Sequence, residues 1–304
     1  MHRVIIDCDP GIDDALALLL ACGSPEIELL AVTTVAGNRP LDTTSINACR
    51  ILDAAGRSAV PVFAGCGRPL VDAAPRCGLV HGENGLGGVL LPTDRAPREE
   101  HASDFIARTL RDANPNTVTI IAVGPLTNLA LAEIKHPGLL QRAKSLLVMG
   151  GAAFVPGNIT PCAEFNFYAD ALAAHNVMSA GVEVQLFGLD VTRKTAMPDE
   201  WIASLAALNT RCGRAAHAML QAYAAQEPRL HDVCPVAYLL DPTLFSGELC
   251  SVSVDWRPGS TEGLTCAWPL WHRNRPAAAN AMVFTEVDGR RLLALIRERI
   301  ASLP

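Results

Sequence analysis

Short apolar runs recur along this chain, most of them closed by small or polar residues and followed by stretches with helical spacing. Residues 4–8, 28–36, 60–64, 117–123, 145–149 and 182–189 are runs of this kind; the second stops at Gly37-Asn38, the fourth at Gly124-Pro125 and the fifth at Gly150-Gly151. Apolar runs without strict alternation read as parallel strands covered on both faces. Helical spacing occupies 14–22, 43–55, 102–113, 128–133 and 169–180. Alternation of strand and helix predicts an α/β fold: an open, mostly parallel twisted sheet with helices on both faces, Rossmann-like in layout. The C-terminal third departs from the pattern. Residues 201–226 read as mostly helical, and 249–257 and 263–268 flank Pro258-Gly259 as a small antiparallel hairpin. Residues 281–287 form a late strand and 290–301 a closing helix. With no repeat, low-complexity tract or linker, residues 1–304 read as a single domain, a length that α/β folds accommodate. The stretch between Pro69 and Glu100 is rich in Gly and Pro; a connection that long is expected to serve function.

Composition narrows the class. Half of the residues are hydrophobic, enough for a large core. The 25 basic and 31 acidic side chains leave a formal charge of −6, without a basic run that would clamp a phosphate backbone, so nucleic acid is not an expected partner. The ten cysteines include no C-x-x-C pair, which is neither a zinc-finger nor a redox layout; they read as small buried hydrophobes of a reducing compartment. The chain opens on MHRVIIDCD, without a leader-like layout, and the apolar stretch 15–22 is far too short to span a bilayer. The expectation is a cytoplasmic protein with no membrane partner.

The sharpest chemistry lies in Asp7-Cys8-Asp9-Pro10-Gly11-Ile12-Asp13-Asp14. Asp7 and Asp9, two residues apart at the end of a buried strand, share one face while the strand lasts. Asp13 and Asp14 open a helix, where carboxylates also cap free amides and complement the dipole. Capping accounts for the second pair but not for the first. Four crowded carboxylates repel one another unless a cation is present, and hard oxygen donors suit Ca²⁺ or Mg²⁺. Polar residues also follow one predicted strand after another: Asn38, then Thr127-Asn128, then Asn158, Glu164 and Asn166. In open α/β sheets ligands bind beyond the carboxyl ends of the strands, so these residues are expected to converge on the aspartates. His81, in a Gly-rich loop, and the pair His231-Asp232 are weak signals taken singly.

Taken together the residues resemble the inosine–uridine-preferring nucleoside hydrolase family. The match runs through D-x-D-x-G-x-D-D at 7–14, Ala36-Gly37-Asn38, H-G-x-x-G-L-G-G from His81, and Val123-Gly124-Pro125-Leu126-Thr127-Asn128. Met149-Gly150-Gly151, the segment from Asn158 to Asn166 and His231-Asp232 complete it. The resemblance implies one calcium ion per subunit, held by Asp9, Asp14, Asp232 and the Val123 carbonyl, with Asp7 in support. It implies that the ion and Asp13 and Asn166 fix the ribose hydroxyls, that Asn158 and Glu164 hold the 5′ end, that Asn38 sits by the ring and that Met149 borders the substrate. The implied reaction is hydrolysis of a ribonucleoside to ribose and free base, as in nucleoside salvage, by a homodimer or homotetramer. An oxocarbenium-like sugar suits a carboxylate-rich site. Asp13 is placed to take the proton of a water that the ion acidifies, and His231 to protonate the leaving base. His81 reads as a base contact in a closing loop. Tyr223 reads equally as a base contact or a core aromatic, and the four tryptophans as packing residues.

Two rival readings remain at this level. A strand ending in D-x-D also presents the nucleophile of haloacid dehalogenase-like, Mg²⁺-dependent phosphatases, although Pro10-Gly11 and the doubled Asp13-Asp14 fit that loop poorly. A non-catalytic protein binding nucleoside or calcium on the same fold is the other; the presence of both Asp13 and His231 favours the enzyme.

Overall fold

The computed structural model describes residues 1–78 and 80–304. Strand β1 (His2–Cys8) pairs in parallel with β2 (Ile27–Thr34) on one side and β4 (Val118–Ala122) on the other. Beyond β2 lies β3 (Val62–Ala64); beyond β4 lie β5 (Ser145–Met149), β6 (Val184–Phe187) and β9 (Ala281–Val287), each parallel to the strand before it in the sheet. Strands β7 (Phe245–Val254) and β8 (Thr265–Pro269) continue the sheet antiparallel, giving the order β3-β2-β1-β4-β5-β6-β9-β7-β8. The predicted hairpin is therefore real but is not a separate appendage. It extends the edge of one nine-stranded sheet, because the late strand 281–287 docks on β6 and offers β7 its free edge.

Side-chain alternation divides the core. Val4, Ile6 and Cys8 belong with α1 (Ile12–Cys22), α2 (Leu41–Ala54) and the C-terminal helices α8 (Asp199–Ala206), α9 (Arg211–Ala224), α10 (Val233–Leu240) and α11 (Gly289–Ala301). Ile5, Ile120 and Val148 belong to the opposite face, under α3 (Ala102–Asp112), α4 (Thr127–Lys135) and α6 (Ala171–Met178). All eleven residues of α1 are buried, as expected of a helix that is apolar all round after Asp13 and Asp14 in its first turn. The predicted helix 169–180 is α6, a separate α5 (Phe165–Ala169) precedes it, and a short α7 (Leu189–Thr192) follows β6. Asp170 makes the break. Its backbone leaves the helical region, and its carboxylate takes the Ala173 amide at 3.0 Å, the Leu70 amide at 2.9 Å and the Thr127 hydroxyl at 2.8 Å. The helical stretch 201–226 splits into α8 and α9 at Asn209, whose φ is +55°, with Thr210 capping the Gly213 amide.

Two features of this layout place the site. The chain leaves β1 in one direction along the sheet and returns at β4 to run in the other, so the strand order reverses between β1 and β4. The carboxyl ends of those strands splay apart there and leave a crevice. The long 69–100 segment crosses above it without forming a helix or strand among its described residues. It is pinned through Arg76, which bonds Glu262 at 2.9 Å and the Tyr168 carbonyl at 2.8 Å and lies over the Tyr168 ring.

Candidate active site

A cavity of about 310 Å³ opens at that crevice. Its wall takes Asp13 from the first turn of α1, Asn38 from the loop after β2, Val123 after β4, Met149 at the end of β5, and Asn158, Glu164 and Asn166 from the next loop and helix. His81, Tyr223, His231 and Asp232 complete the set of expected residues found there. Asp7, Asp9 and Asp14 lie just beneath, all fully buried.

Carboxyl oxygens of Asp13, Asp14 and Asp232 lie within 4.8 Å of one another. Asp14 does the capping that its position allows, accepting the Gly11 amide at 2.9 Å and the Asp9 amide at 3.1 Å. It also takes the Asn38 side-chain amide at 3.1 Å. Asp9, expected among the ion's ligands, stands next to this trio. One of its oxygens accepts the Asn38 backbone amide at 2.5 Å; the other, Oδ1, is buried and accepts nothing. Asp13 Oδ1 is likewise buried without a partner. Burial pushes Asp9, Asp14 and Asp232 upward, Asp14 to about 7, and the neighbouring aspartates add to the shift in each. Among the described residues of the cavity wall there is no Lys or Arg to offset them. Buried carboxylates with unused oxygens, near the Val123 carbonyl and without a protein cation, are an oxygen-only donor set that fits a hard divalent ion.

Asp7 supports from behind. Its Oδ1 takes the Thr33 hydroxyl at 2.5 Å and the Asn128 amide at 2.9 Å, while burial pushes it to about 7. Asn128, one of the polar residues expected to converge on the aspartates, also bonds the Thr34 carbonyl and the Cys66 amide, and so ties the ends of β1, β2 and β3 together.

The residues at and after the end of β5 are held as firmly. Asn166 donates to the Val123 carbonyl at 2.9 Å and touches the Met149 carbonyl and sulfur. Glu164 caps α5 through the Asn166 and Phe167 amides and takes the Gly151 amide at 2.8 Å. Its burial still keeps it above the ordinary range. Asn158 Oδ1 accepts the Phe165 amide at 3.0 Å.

On the opposite wall, His81 Nδ1 accepts the Ile12 amide, a free donor of the first turn of α1, at 3.0 Å. Burial, with His231 nearby, keeps His81 below the usual range against the pull of Asp13. The neutral imidazole stacks on Tyr223 with ring centres 5.3 Å apart. Gly11 is required here: a Cβ would sit 2.7 Å from His81 Nδ1 and 2.9 Å from the Asn38 amide nitrogen. Tyr223 donates to Asp13 at 3.3 Å on the cavity wall, while its ring is buried in the apolar core. His231 has Thr192 Oγ1 at 2.8 Å from Nδ1 and Glu227 Oε2 at 3.8 Å from Nε2.

The sequence model described as inosine-uridine preferring nucleoside hydrolase matches residues 4–294. The chain belongs to that family. An uncharacterised protein of Schizosaccharomyces pombe is 42% identical, covering 99% of this chain and all of its own length. The pyrimidine-specific ribonucleoside hydrolase RihA of Photobacterium profundum is 38% identical over 98% of both chains. Among solved structures, a plant nucleoside hydrolase superposes with a TM-score of 0.93 at 32% identity, over 99% of each chain. The protein is thus a hydrolase of the nucleoside hydrolase family, and the phosphatase reading falls. No helix among its described residues is long and apolar enough to cross a membrane.

Within this family fold, three residues of the site went unread in the sequence. Thr192 and Glu227 flank His231, and Gln226 lines the cavity beside Glu227. Glu227 stands four residues before His231, a spacing that could have flagged it. Thr192 lies 39 residues away and left no local signal.

Proposed function

We propose that this chain hydrolyses the N-glycosidic bond of ribonucleosides, using one calcium ion held by Asp9, Asp14, Asp232 and the Val123 carbonyl. The observation that carries the reading is the buried meeting of Asp13, Asp14 and Asp232 at the switch point, with oxygens of Asp9 and Asp13 left unused. A bound ion of this kind supplies Lewis acidity, acidifying water and chelating vicinal hydroxyls. The protein does the rest. Asn166 and Asp13 orient the ribose 2′ and 3′ hydroxyls, and Asn158 and Glu164 meet its 5′ end. Asp13 Oδ1, free of protein donors, takes the proton of the attacking water while Tyr223 steadies Oδ2. The surrounding carboxylates favour the positive charge that develops on the sugar. The departing base needs a proton. His81 spends Nδ1 on the Ile12 amide, whereas His231, oriented by Thr192, is the donor assigned to the leaving group.

The test uses inosine, uridine, cytidine and adenosine with the calcium-loaded and the chelator-treated enzyme, reading reducing sugar and free base. Ribose release that chelation abolishes and added Ca²⁺ restores is the expected outcome. Asp13→Asn should lower kcat by about 10²–10⁴-fold without lowering the melting temperature, since it removes one of several crowded like charges. Turnover indifferent to chelation would refute the ion's role, and full activity of Asp13→Asn would refute the base.

A further inference from the structure

One carboxylate in the cavity is left without a task by this scheme. Glu227 follows the last turn of α9, and its Oε2 sits 3.8 Å from His231 Nε2, so Glu227 and its neighbour Gln226 belong to the histidine side of the cavity. On the ribohydrolase reading, that side receives the base. We propose that Glu227, with Gln226 beside it, reads the edge of the base and selects nucleosides whose base carries an exocyclic amino group over their keto counterparts.

The argument rests on hydrogen-bond inventory. An ionised carboxylate only accepts. Glu227 Oε1 takes the Arg229 guanidinium at 3.1 Å, which fixes the side chain's orientation. Oε2 accepts no hydrogen bond from any described residue; the His231 ring nitrogen, 3.8 Å away, is too far for one and faces it only as a charge partner when the ring is protonated. An unfilled acceptor on the cavity wall is satisfied by the N4 amino group of cytosine or the N6 amino group of adenine. Against the O4 of uracil or the O6 of hypoxanthine it meets a second acceptor, and neither is satisfied. The Gln226 amide both donates and accepts, so it can serve the ring nitrogen beside the amino group. The Glu227 side chain is 23% exposed and shares its charge with Arg229, so discrimination should sit near tenfold, far below that of a sealed polar pocket.

The inference rests on the ribohydrolase reading, and the experiment separates the two. The calcium-loaded protein is assayed on cytidine against uridine, on adenosine against inosine, and on p-nitrophenyl β-ribofuranoside, which has the sugar but no base edge. The wild type should favour the amino member of each pair by about tenfold in kcat/KM. Glu227→Gln and Glu227→Ala should each collapse that ratio towards one. A wild type without amino preference, or variants that lose activity on both members equally and keep the ratio, overturns the assignment. If the wild type cleaves the nitrophenyl riboside but shows no preference, the ribohydrolase reading survives and only the role of Glu227 fails. If it cleaves none of the five compounds, both readings fail.

Discussion

Thr192 touches the site through one atom, the hydroxyl 2.8 Å from His231 Nδ1, while its carbonyl is spent on the Thr195 hydroxyl. Replacing it by Val keeps the shape and removes the contact, leaving a buried ring nitrogen without a partner. Thr192→Val should lower kcat by about tenfold, with KM little changed, and Thr192→Ser should restore it; steady-state kinetics on one nucleoside decides. Equal kcat in all three would mean that the ring needs no such anchor. At this scale the chain was legible wherever a residue type was chemically unusual for its place. Asp9 at a buried strand end and Asp13 at a helix start announced themselves, as did a His-Asp pair once the other motifs accompanied it. Asn128 was placed by its position after a strand, whereas Thr192 was opaque because a Thr there is ordinary turn chemistry, and only the fold reveals what it reaches. Asp14 shows that two readings can both hold. It caps α1 and also belongs to the carboxylate cluster.

Elements were legible where periodicity decided them and not where a side chain overrode it. Strand β9 falls where the apolar pattern put it, and β5 likewise. The break at Asp170, which sets α5 apart from the predicted helix, does not follow from periodicity. It follows from a carboxylate that trades one helical turn for three hydrogen bonds, one of them to Leu70 at the start of the long loop. Asp170→Ala strands the buried Thr127 hydroxyl and the part-buried Leu70 amide. It should cost about 1–3 kcal/mol of stability, read as a lowered urea midpoint at unchanged slope, and Asp170→Asn should recover part of it. A midpoint equal to that of wild type would show that α5 and α6 need no such junction. The hairpin's place in the sheet was hidden for a different reason. Pairing between β6 and β9 joins residues nearly a hundred positions apart, and nothing in either segment names its partner.

For the molecule as a whole, the same reversal of strand order that opens the crevice buries several carboxylates under it, and this links folding to pH and to the ion. Burial pushes Asp7 and Asp14 to about 7 in the ion-free fold, against an ordinary value of 3.8, with Asp13 adding to the shift in Asp14. Between roughly those two values the folded chain holds more protons than the unfolded one. Stability is therefore greatest, as far as these groups are concerned, below about pH 4, and is lost as pH rises through about 7. A divalent ion competes with those protons and replaces their effect, so it should stabilise more where the carboxylates are charged. The chelated protein should melt at a lower temperature at pH 8 than at pH 5.5, and saturating Ca²⁺ should raise the melting temperature more at pH 8 than at pH 5.5. Differential scanning calorimetry across that range, with and without chelator, measures both. An increment that is the same at the two pH values would mean that the ion does not displace protons from this cluster. The charge buried at the switch point would then have to be neutralised by something other than a cation.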